Sequence, residues 1–177
     1  MKALTKIFLL IPLMVAAVFF SCNTNKNTAR ADIQSASGSS ITGEAIFEET
    51  SNGVKMTLTV HGLAPGGVHA VHLQESGDCS APDATSAGPH WNPMDEPHGD
   101  RASGGEFHAG DIANLEVGDD GTGTLEIVAE DWTIGTSEAS DVIGKAVIIH
   151  ASPDDFVSQP AGNAGARIGC GVIVKGS

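Results

Sequence analysis

The sequence predicts an all-β domain that folds as a sandwich or a barrel. Several short segments alternate apolar with polar residues, which is the period of half-buried strands. The 22 glycines and eight prolines supply the many turns that short strands need. No segment has the 3.6-residue period of an amphipathic helix, so a helical fold is not expected.

The first two predicted strands form a hairpin. Residues 43–49 and 54–60 each alternate apolar with polar side chains, as antiparallel strands with one buried face do. Ser51, Asn52 and Gly53 lie between them and are typical residues of a tight turn. We therefore expect these two strands to pair directly.

Four further segments are strand candidates, and they leave two long stretches unassigned. The candidates are residues 68–74, 123–128, 142–150 and 168–174. Residues 76–110 and 151–166 do not have the pattern of strands. Loops of this length in a compact domain usually carry function, so candidate site residues are sought in them first.

The N-terminus has the pattern of a secretory signal. Lys2 and Lys6 precede an apolar run, residues 7–20, which is shorter than the ~20 residues needed to span a bilayer. Cys22 directly follows a small residue, which predicts a lipoprotein signal peptide over residues 1–22 and a lipid anchor on Cys22. Ordinary cleavage nearby and a retained membrane anchor are the alternatives.

The rest of the chain is interpreted as a tether and one domain. Residues 23–40 are polar, small and aperiodic, which predicts a flexible linker. Residues 41–177 have the length of one ordinary domain. We expect the protein to be exported and anchored in the cell envelope on the periplasmic side. The formal net charge of −13 argues against nucleic-acid binding.

The three cysteines divide between export and the fold. Because Cys22 belongs to the signal, Cys79 and Cys170 are the remaining pair, and an oxidising compartment favours a disulfide between them. Two thiolate metal ligands are the alternative, which is less favoured because neither cysteine has another cysteine close in sequence.

Several histidines lie in or beside the two long stretches, together with one aspartate. Any one of them alone would be an ordinary structural residue, but imidazoles with one carboxylate are a typical ligand set for zinc or copper. The candidate ligands are His72, His90, His98, His108, Asp111 and His150.

Four sequence motifs resemble, in order, those of the bacterial copper/zinc superoxide dismutase family. They are VHAVHLQESGDC at 68–79, SAGPHWNP at 86–93, HAGDIANL at 108–115 and GNAGARIGCGVI at 162–173. The resemblance extends over residues 41–177. It implies an eight-stranded Greek-key β-barrel, an immunoglobulin-like sandwich, with two long functional loops. The implied reaction converts superoxide to oxygen and hydrogen peroxide. The family uses more than one oligomeric arrangement, so a homodimer is one expected state.

The resemblance also assigns roles to individual residues. The implied zinc ligands are His90, His98, His108 and Asp111, and the implied copper ligands are His72, His90 and His150, with His90 bridging the two metals. Asp154 would link a copper-ligand histidine to a zinc-ligand histidine. Arg167 would draw the superoxide anion to the copper site. Cys79 and Cys170 match the family's intrasubunit disulfide.

The chain departs from the family at position 74. The family supplies two copper ligands as His-x-His, because residues two apart on a strand face the same side. Here the pair is His72 and Gln74, and an amide oxygen is a weaker donor than imidazole, especially for reduced copper. His69 has an odd offset from His72 and, like His61, is interpreted as structural.

We therefore expect an intact zinc site and an impaired superoxide dismutase. The alternatives are a non-catalytic zinc-binding lipoprotein and a weak periplasmic copper carrier on the same fold.

Overall fold

A computed structural model describes residues 26–176, and its regular structure is almost entirely β. The strands are β1 (Thr28–Ser35), β2 (Thr42–Thr50), β3 (Gly53–His61), β4 (Val68–His69), β5 (Val71–Gln74), β6 (Leu115–Glu116), β7 (Gly123–Ala129), β8 (Ala146–His150), β9 (Arg167–Val172) and β10 (Val174–Lys175). Two 3₁₀ turns, Thr85–Ala87 and Arg101–Ser103, complete the described secondary structure. No helix in this part of the chain is long and apolar enough to cross a membrane.

The strands form one curled antiparallel sheet. Its order is β5-β8-β9-β1-β2-β3-β7, with β10 also paired to β1. A second ladder joins β4 to β6, and a bridge between Val117 and Gly123 connects β6 to β7. Only Ala70 separates β4 from β5, so this ladder brings the two ends of the sheet together. With β4 and β5 taken as one strand, and β9 and β10 as another, the expected eight-stranded Greek-key barrel is confirmed.

The predicted hairpin is present in the expected register. Thr50 of β2 pairs with Gly53 of β3, which leaves Ser51 and Asn52 in the turn. Gly53 has φ +112°, and a side-chain carbon there would lie 2.2 Å from the carbonyl oxygen of Ala129. Glycine is therefore required at the point where β3 leaves the turn and meets β7.

Alternation along these strands forms the core. The even-numbered side chains of β3 are buried. On β2, the side chains that face the same interior are Ala45 and Phe47. Phe47 packs against the buried Trp132, with ring centroids 6.1 Å apart. This apolar interior holds the strands that carry the candidate ligands.

The predicted linker over residues 23–40 is wrong from Thr28 onwards. Residues 28–35 form β1, which lies inside the sheet between β2 and β9. Its inward side chains, Ala29, Ala31 and Ile33, are almost completely buried. The ordered domain therefore begins before residue 41, because this segment pairs with strands on both sides and buries its inward side chains. The predicted signal peptide, including Cys22, lies outside the described residues.

The predicted disulfide is confirmed. Cys79 and Cys170 are bonded, with their Cα atoms 5.8 Å apart and 91 positions apart in sequence. The bond attaches the first long loop to β9. In the chain-entropy treatment, closing a loop of this length stabilises the fold by about 4–5 kcal/mol.

Candidate metal centre

Asp111 lies at the centre of three histidines. Its Oδ1 atom is 2.9 Å from Nδ1 of His90, 3.0 Å from Nδ1 of His98 and 3.2 Å from Nδ1 of His108. The Nδ1 atoms of His90 and His108 are 3.3 Å apart. The other carboxylate oxygen, Oδ2, accepts hydrogen bonds from the backbone N–H groups of Gly99 and His108. Those two bonds fix the carboxylate against the loop that supplies the rings.

These distances fit a tetrahedral zinc ion. Zinc bonds of about 2.0–2.1 Å place neighbouring ligand atoms about 3.3 Å apart. His72, His90, His98 and Asp111 also offer donor atoms that lie within 4.8 Å of one another. His108 is the better fourth member, because its Nδ1 lies 3.2 Å from Oδ1 of Asp111 and 3.3 Å from Nδ1 of His90. The four predicted zinc ligands are thus brought together.

A second set of donor atoms lies beside the first. The ring centroids of His72 and His90 are 4.0 Å apart, and those of His72 and His150 are 4.9 Å apart. Nδ1 of His72, Nε2 of His90 and Nε2 of His150 are buried and have no hydrogen-bond partner in the protein. Buried polar atoms are normally paired. Three lone nitrogens on adjacent rings are suited to a metal ion.

The tautomers of His72 and His150 follow from the hydrogen bond that the other nitrogen of each ring donates. Nε2 of His72 donates to Asp154, at 2.7 Å, and Nδ1 of His150 donates to the carbonyl oxygen of Gly165, at 3.1 Å. Nδ1 of His72 and Nε2 of His150 therefore keep their lone pairs in the neutral rings.

Asp154 connects the two halves, as predicted. Its Oδ2 accepts from His72, and its Oδ1 lies 3.0 Å from Nε2 of His98. The side-chain amide of Asn114 holds the backbone of Asp154 on both sides. Its Nδ2 donates to the Asp154 carbonyl at 3.0 Å, and its Oδ1 accepts from the Asp154 N–H at 2.8 Å. One carboxylate thus orients one ring from each half.

Three supporting residues were not found by sequence reasoning: Asn114, Gln159 and Gly162. The amide of Gln159 pairs with both the backbone N–H and the carbonyl of His98, at 2.9 and 2.8 Å. Gly162 packs so closely on Asp154 that a side-chain carbon would lie 1.7 Å from Oδ1. Asn114 and Gly162 fall within the recognised motifs, which was the available signal. Nothing in the sequence singled out Gln159.

Burial and the carboxylates set the charge of the rings. Burial lowers the pKa of His72 to about 4 and that of His150 to about 3, so both rings are neutral at pH 7. Burial also acts to lower the pKa of His98, but Asp111 and Asp154 outweigh it and raise that pKa to about 9.

Burial acts to raise the pKa of Asp111. Hydrogen bonds from His90, His98 and the backbone hold it well below its usual range instead. The zinc-like half therefore combines a firmly ionised carboxylate with the ring of His98, from which a bound cation would displace a proton.

Arg167 lies at a cavity of about 620 Å³ that reaches His90 and His108. Its guanidinium donates to the carbonyl oxygens of Ala84 and Gly88, at 2.8 and 2.7 Å, which fixes its position. Lys145 lines the same cavity. Within residues 26–176, neither cation forms an ion pair with a carboxylate. The lining therefore carries two cations that are not ion-paired, together with the carboxylates of Glu75 and Asp95.

The two remaining histidines, which the sequence suggested are structural, lie outside both donor sets. Nδ1 of His69 donates to the carbonyl oxygen of His150, at 2.8 Å, and so supports the backbone of a candidate ligand. His61 is exposed and contacts Thr122. Neither is among the residues grouped around Asp111 or His72.

Comparisons with known proteins agree with this geometry. The family described as "Copper/zinc superoxide dismutase (SODC)" matches residues 41–173. Superoxide dismutase [Cu-Zn] 2 of Aquifex aeolicus is 38% identical over 148 residues, covering 82% of this chain and 85% of its own. Superoxide dismutase-like protein YojM of Bacillus subtilis is 37% identical, covering 73% of this chain and 67% of its own. The crystal structure of a SOD-like protein from Bacillus subtilis superimposes with a TM-score of 0.72 at 33% identity. The match covers 80% of this chain and 95% of that one.

Proposed function

The chain belongs to the copper/zinc superoxide dismutase family, and we propose that it dismutates superoxide at a copper/zinc site whose copper half is weakened by Gln74. The observation that supports this proposal is the set of three buried ring nitrogens without a protein partner, on His72, His90 and His150. They lie directly beside the four-residue set that fits zinc. If the protein bound only the zinc ion, these three nitrogens would remain without a partner.

Each ion is matched by the donors present. Three imidazoles suit copper, while three imidazoles and a carboxylate at tetrahedral spacing suit zinc. Copper supplies the one-electron redox chemistry that turns two superoxide ions and two protons into oxygen and hydrogen peroxide, and zinc supplies a fixed charge. His90 offers Nδ1 to the zinc side and Nε2 to the copper side.

The protein's own residues provide orientation and attraction. Asp154 holds the rings of His72 and His98 at fixed angles, so donor atoms do not have to be reorganised. Arg167 presents a guanidinium that two carbonyl oxygens fix at the cavity beside His90. A positive group there raises the local concentration of a small anion, and it matters more on a chain of net charge −13.

Gln74 is expected to lower both copper affinity and turnover. It stands where the family pattern has a histidine, and an amide oxygen binds copper less strongly than imidazole does. The protein should therefore retain copper only when copper is abundant, and its activity should fall below that of the Gln74→His variant.

The proposal is tested by measuring superoxide removal after loading with zinc and then with copper. Pulse radiolysis gives the second-order rate constant directly. We expect copper-dependent activity that rises in Gln74→His. Gln34→His is a matched control, because Gln34 is exposed on β1 and should leave the rate unchanged. Activity no higher with copper than with zinc alone would refute a dismutase and favour the non-catalytic alternatives.

The proposal includes the cellular location. Export and a lipid anchor on Cys22 follow from the sequence of residues 1–22. Because β1 begins at Thr28, only the five residues 23–27 would separate the anchor from the barrel, which bounds the tether at about 20 Å. The barrel would then lie close to the membrane surface. The mass of the N-terminal peptide from the cell-envelope protein would show whether acyl chains are attached.

A further inference from the structure

We propose that Gln74 is itself a metal ligand, and that its side-chain oxygen Oε1 completes the copper half as a set of three nitrogens and one oxygen. This inference rests on the proposed function only in placing copper at this half. It replaces the expectation of a missing ligand by a substituted one.

Strand pairing places Gln74 on the same face as the three histidines. His72 and Gln74 are two apart on β5, so their side chains face the same side. In the ladder between β5 and β8, His72 pairs with Ile148 and Gln74 with Ala146. Directly opposed residues of antiparallel strands share a face, and His150 is two positions beyond Ile148. His150 therefore faces the same side as both residues of β5.

His90 is brought to this face by a separate contact. An isolated antiparallel bridge pairs Gln74 with His90, outside the main strands. Paired residues of this kind have Cβ atoms about 5 Å apart. Gln74 is thus adjacent to His72 along its strand and to His90 across the bridge.

The side chain of Gln74 has no use within the protein. It is 0% exposed, and neither Oε1 nor Nε2 has a hydrogen-bond partner in the protein. A buried amide left unpaired destabilises the folded state. Nδ1 of His72, Nε2 of His90 and Nε2 of His150 share this deficit on the same side, as do Nε2 of His69 and Nδ1 of His98 elsewhere. One cation shared by Gln74 and the first three rings accounts for Oε1 and for those three ring nitrogens.

The chemistry of the amide selects its oxygen. The neutral amide nitrogen carries two N–H donors and offers no lone pair, whereas Oε1 has two lone pairs. Oxygen is a harder donor than imidazole, so the set favours a divalent ion over Cu⁺. The structure therefore assigns Gln74 a positive role, which is to hold Cu²⁺ with an oxygen where the family uses a nitrogen.

The test is spectroscopic and does not depend on turnover. The full-length chain is produced with glutamine carrying ¹³C at the side-chain amide carbon, then loaded with zinc and one equivalent of Cu²⁺. Electron–nuclear double resonance should detect one strongly coupled ¹³C. The signal should persist in Gln34→Ala, where an exposed labelled glutamine is removed, and disappear in Gln74→Leu. Absence of a coupled ¹³C in the native protein overturns the proposal.

Copper affinity provides the second measurement. Loss of a residue that only orients a ligand lowers metal affinity about 10–100-fold, so loss of a ligand in Gln74→Leu should lower Cu²⁺ affinity at least about tenfold. Gln74→Glu keeps an oxygen at the same reach and should retain it. Competition with a chromophoric chelator measures both, and zinc content shows that each variant is folded. Equal affinity of Gln74→Leu and the native protein refutes the inference.

The two proposals fail separately. A coupled ¹³C without superoxide removal would support Gln74 as a ligand and refute the dismutase activity. Superoxide removal without a coupled ¹³C would support the activity and refute Gln74 as a ligand.

Discussion

Replacing Gly162 by alanine should loosen both metal sites through a single carboxylate. Gly162 has φ +61°, and an alanine Cβ there would lie 1.7 Å from Oδ1 of Asp154 and 2.8 Å from Nε2 of His98. Contacts of Cβ below 3.0 Å are essentially not observed, so the carboxylate must move by more than 1 Å. Its bonds of 2.7 Å to His72 and 3.0 Å to His98 cannot survive that displacement.

The expected loss has two separable parts. A residue with a side chain costs about 1–2 kcal/mol in the left-handed region of φ. Loss of the carboxylate that orients the rings should lower zinc affinity about 10–100-fold, which is about 1.4–2.7 kcal/mol at 1.36 kcal/mol per tenfold. Gly104→Ala isolates the first part. Gly104 has φ +72°, lies in the first long loop, and has no atom within 4 Å of the added carbon.

Zinc affinity, measured by competition with a chromophoric chelator, distinguishes the two variants. Thermal unfolding with and without zinc should show that both alanine variants lose stability, but that only Gly162→Ala loses part of the stabilisation by zinc. If the two variants bind zinc equally well, the bridge formed by Asp154 does not orient the ligands, and the reasoning is wrong.

Two further outcomes are expected. Lys145→Gln should lower kcat/KM severalfold at low ionic strength and flatten the salt dependence of kcat/KM, because a charge at the cavity beside Arg167 steers the anion. Lys145→Arg keeps the charge and should restore both properties. An unchanged salt dependence in Lys145→Gln would exclude this role. In the metal-free protein, the pKa of His98, raised to about 9 from an ordinary value of about 6.5, contributes stability that is complete below pH 6.5 and is lost as pH rises through 9. Urea unfolding should show that slope, and His98→Gln should abolish it.

The sequence predicts the strands whose inward positions are large. The alternation of Val54, Met56 and Leu58 is unambiguous, and β3 forms where it was expected. β1 was missed because two of its three inward residues are alanines, Ala29 and Ala31, which have low strand propensity and give little contrast with their polar neighbours. Partners on both sides, rather than its own pattern, make this segment a strand.

The candidate site could likewise be predicted from the sequence only in part. The motifs identify ligands such as His90 and His108 by residue type and order. They do not identify the amide pair between Gln159 and His98, because a hydrogen bond across 61 positions leaves no local pattern. The face that Gln74 shares with His150 likewise depends on the register of β5 with β8, which a single sequence does not contain.

The unpaired atoms also bear on whether the copper half is a remnant. Without an ion, His72, His90, His150 and Gln74 bury polar atoms that the protein itself does not satisfy, and each costs about 1–3 kcal/mol. A leucine at position 74 would fill a similar volume and remove two of those atoms. A protein that used only its zinc half would be more stable with that apolar residue, so retaining the amide is a cost unless an ion offsets it.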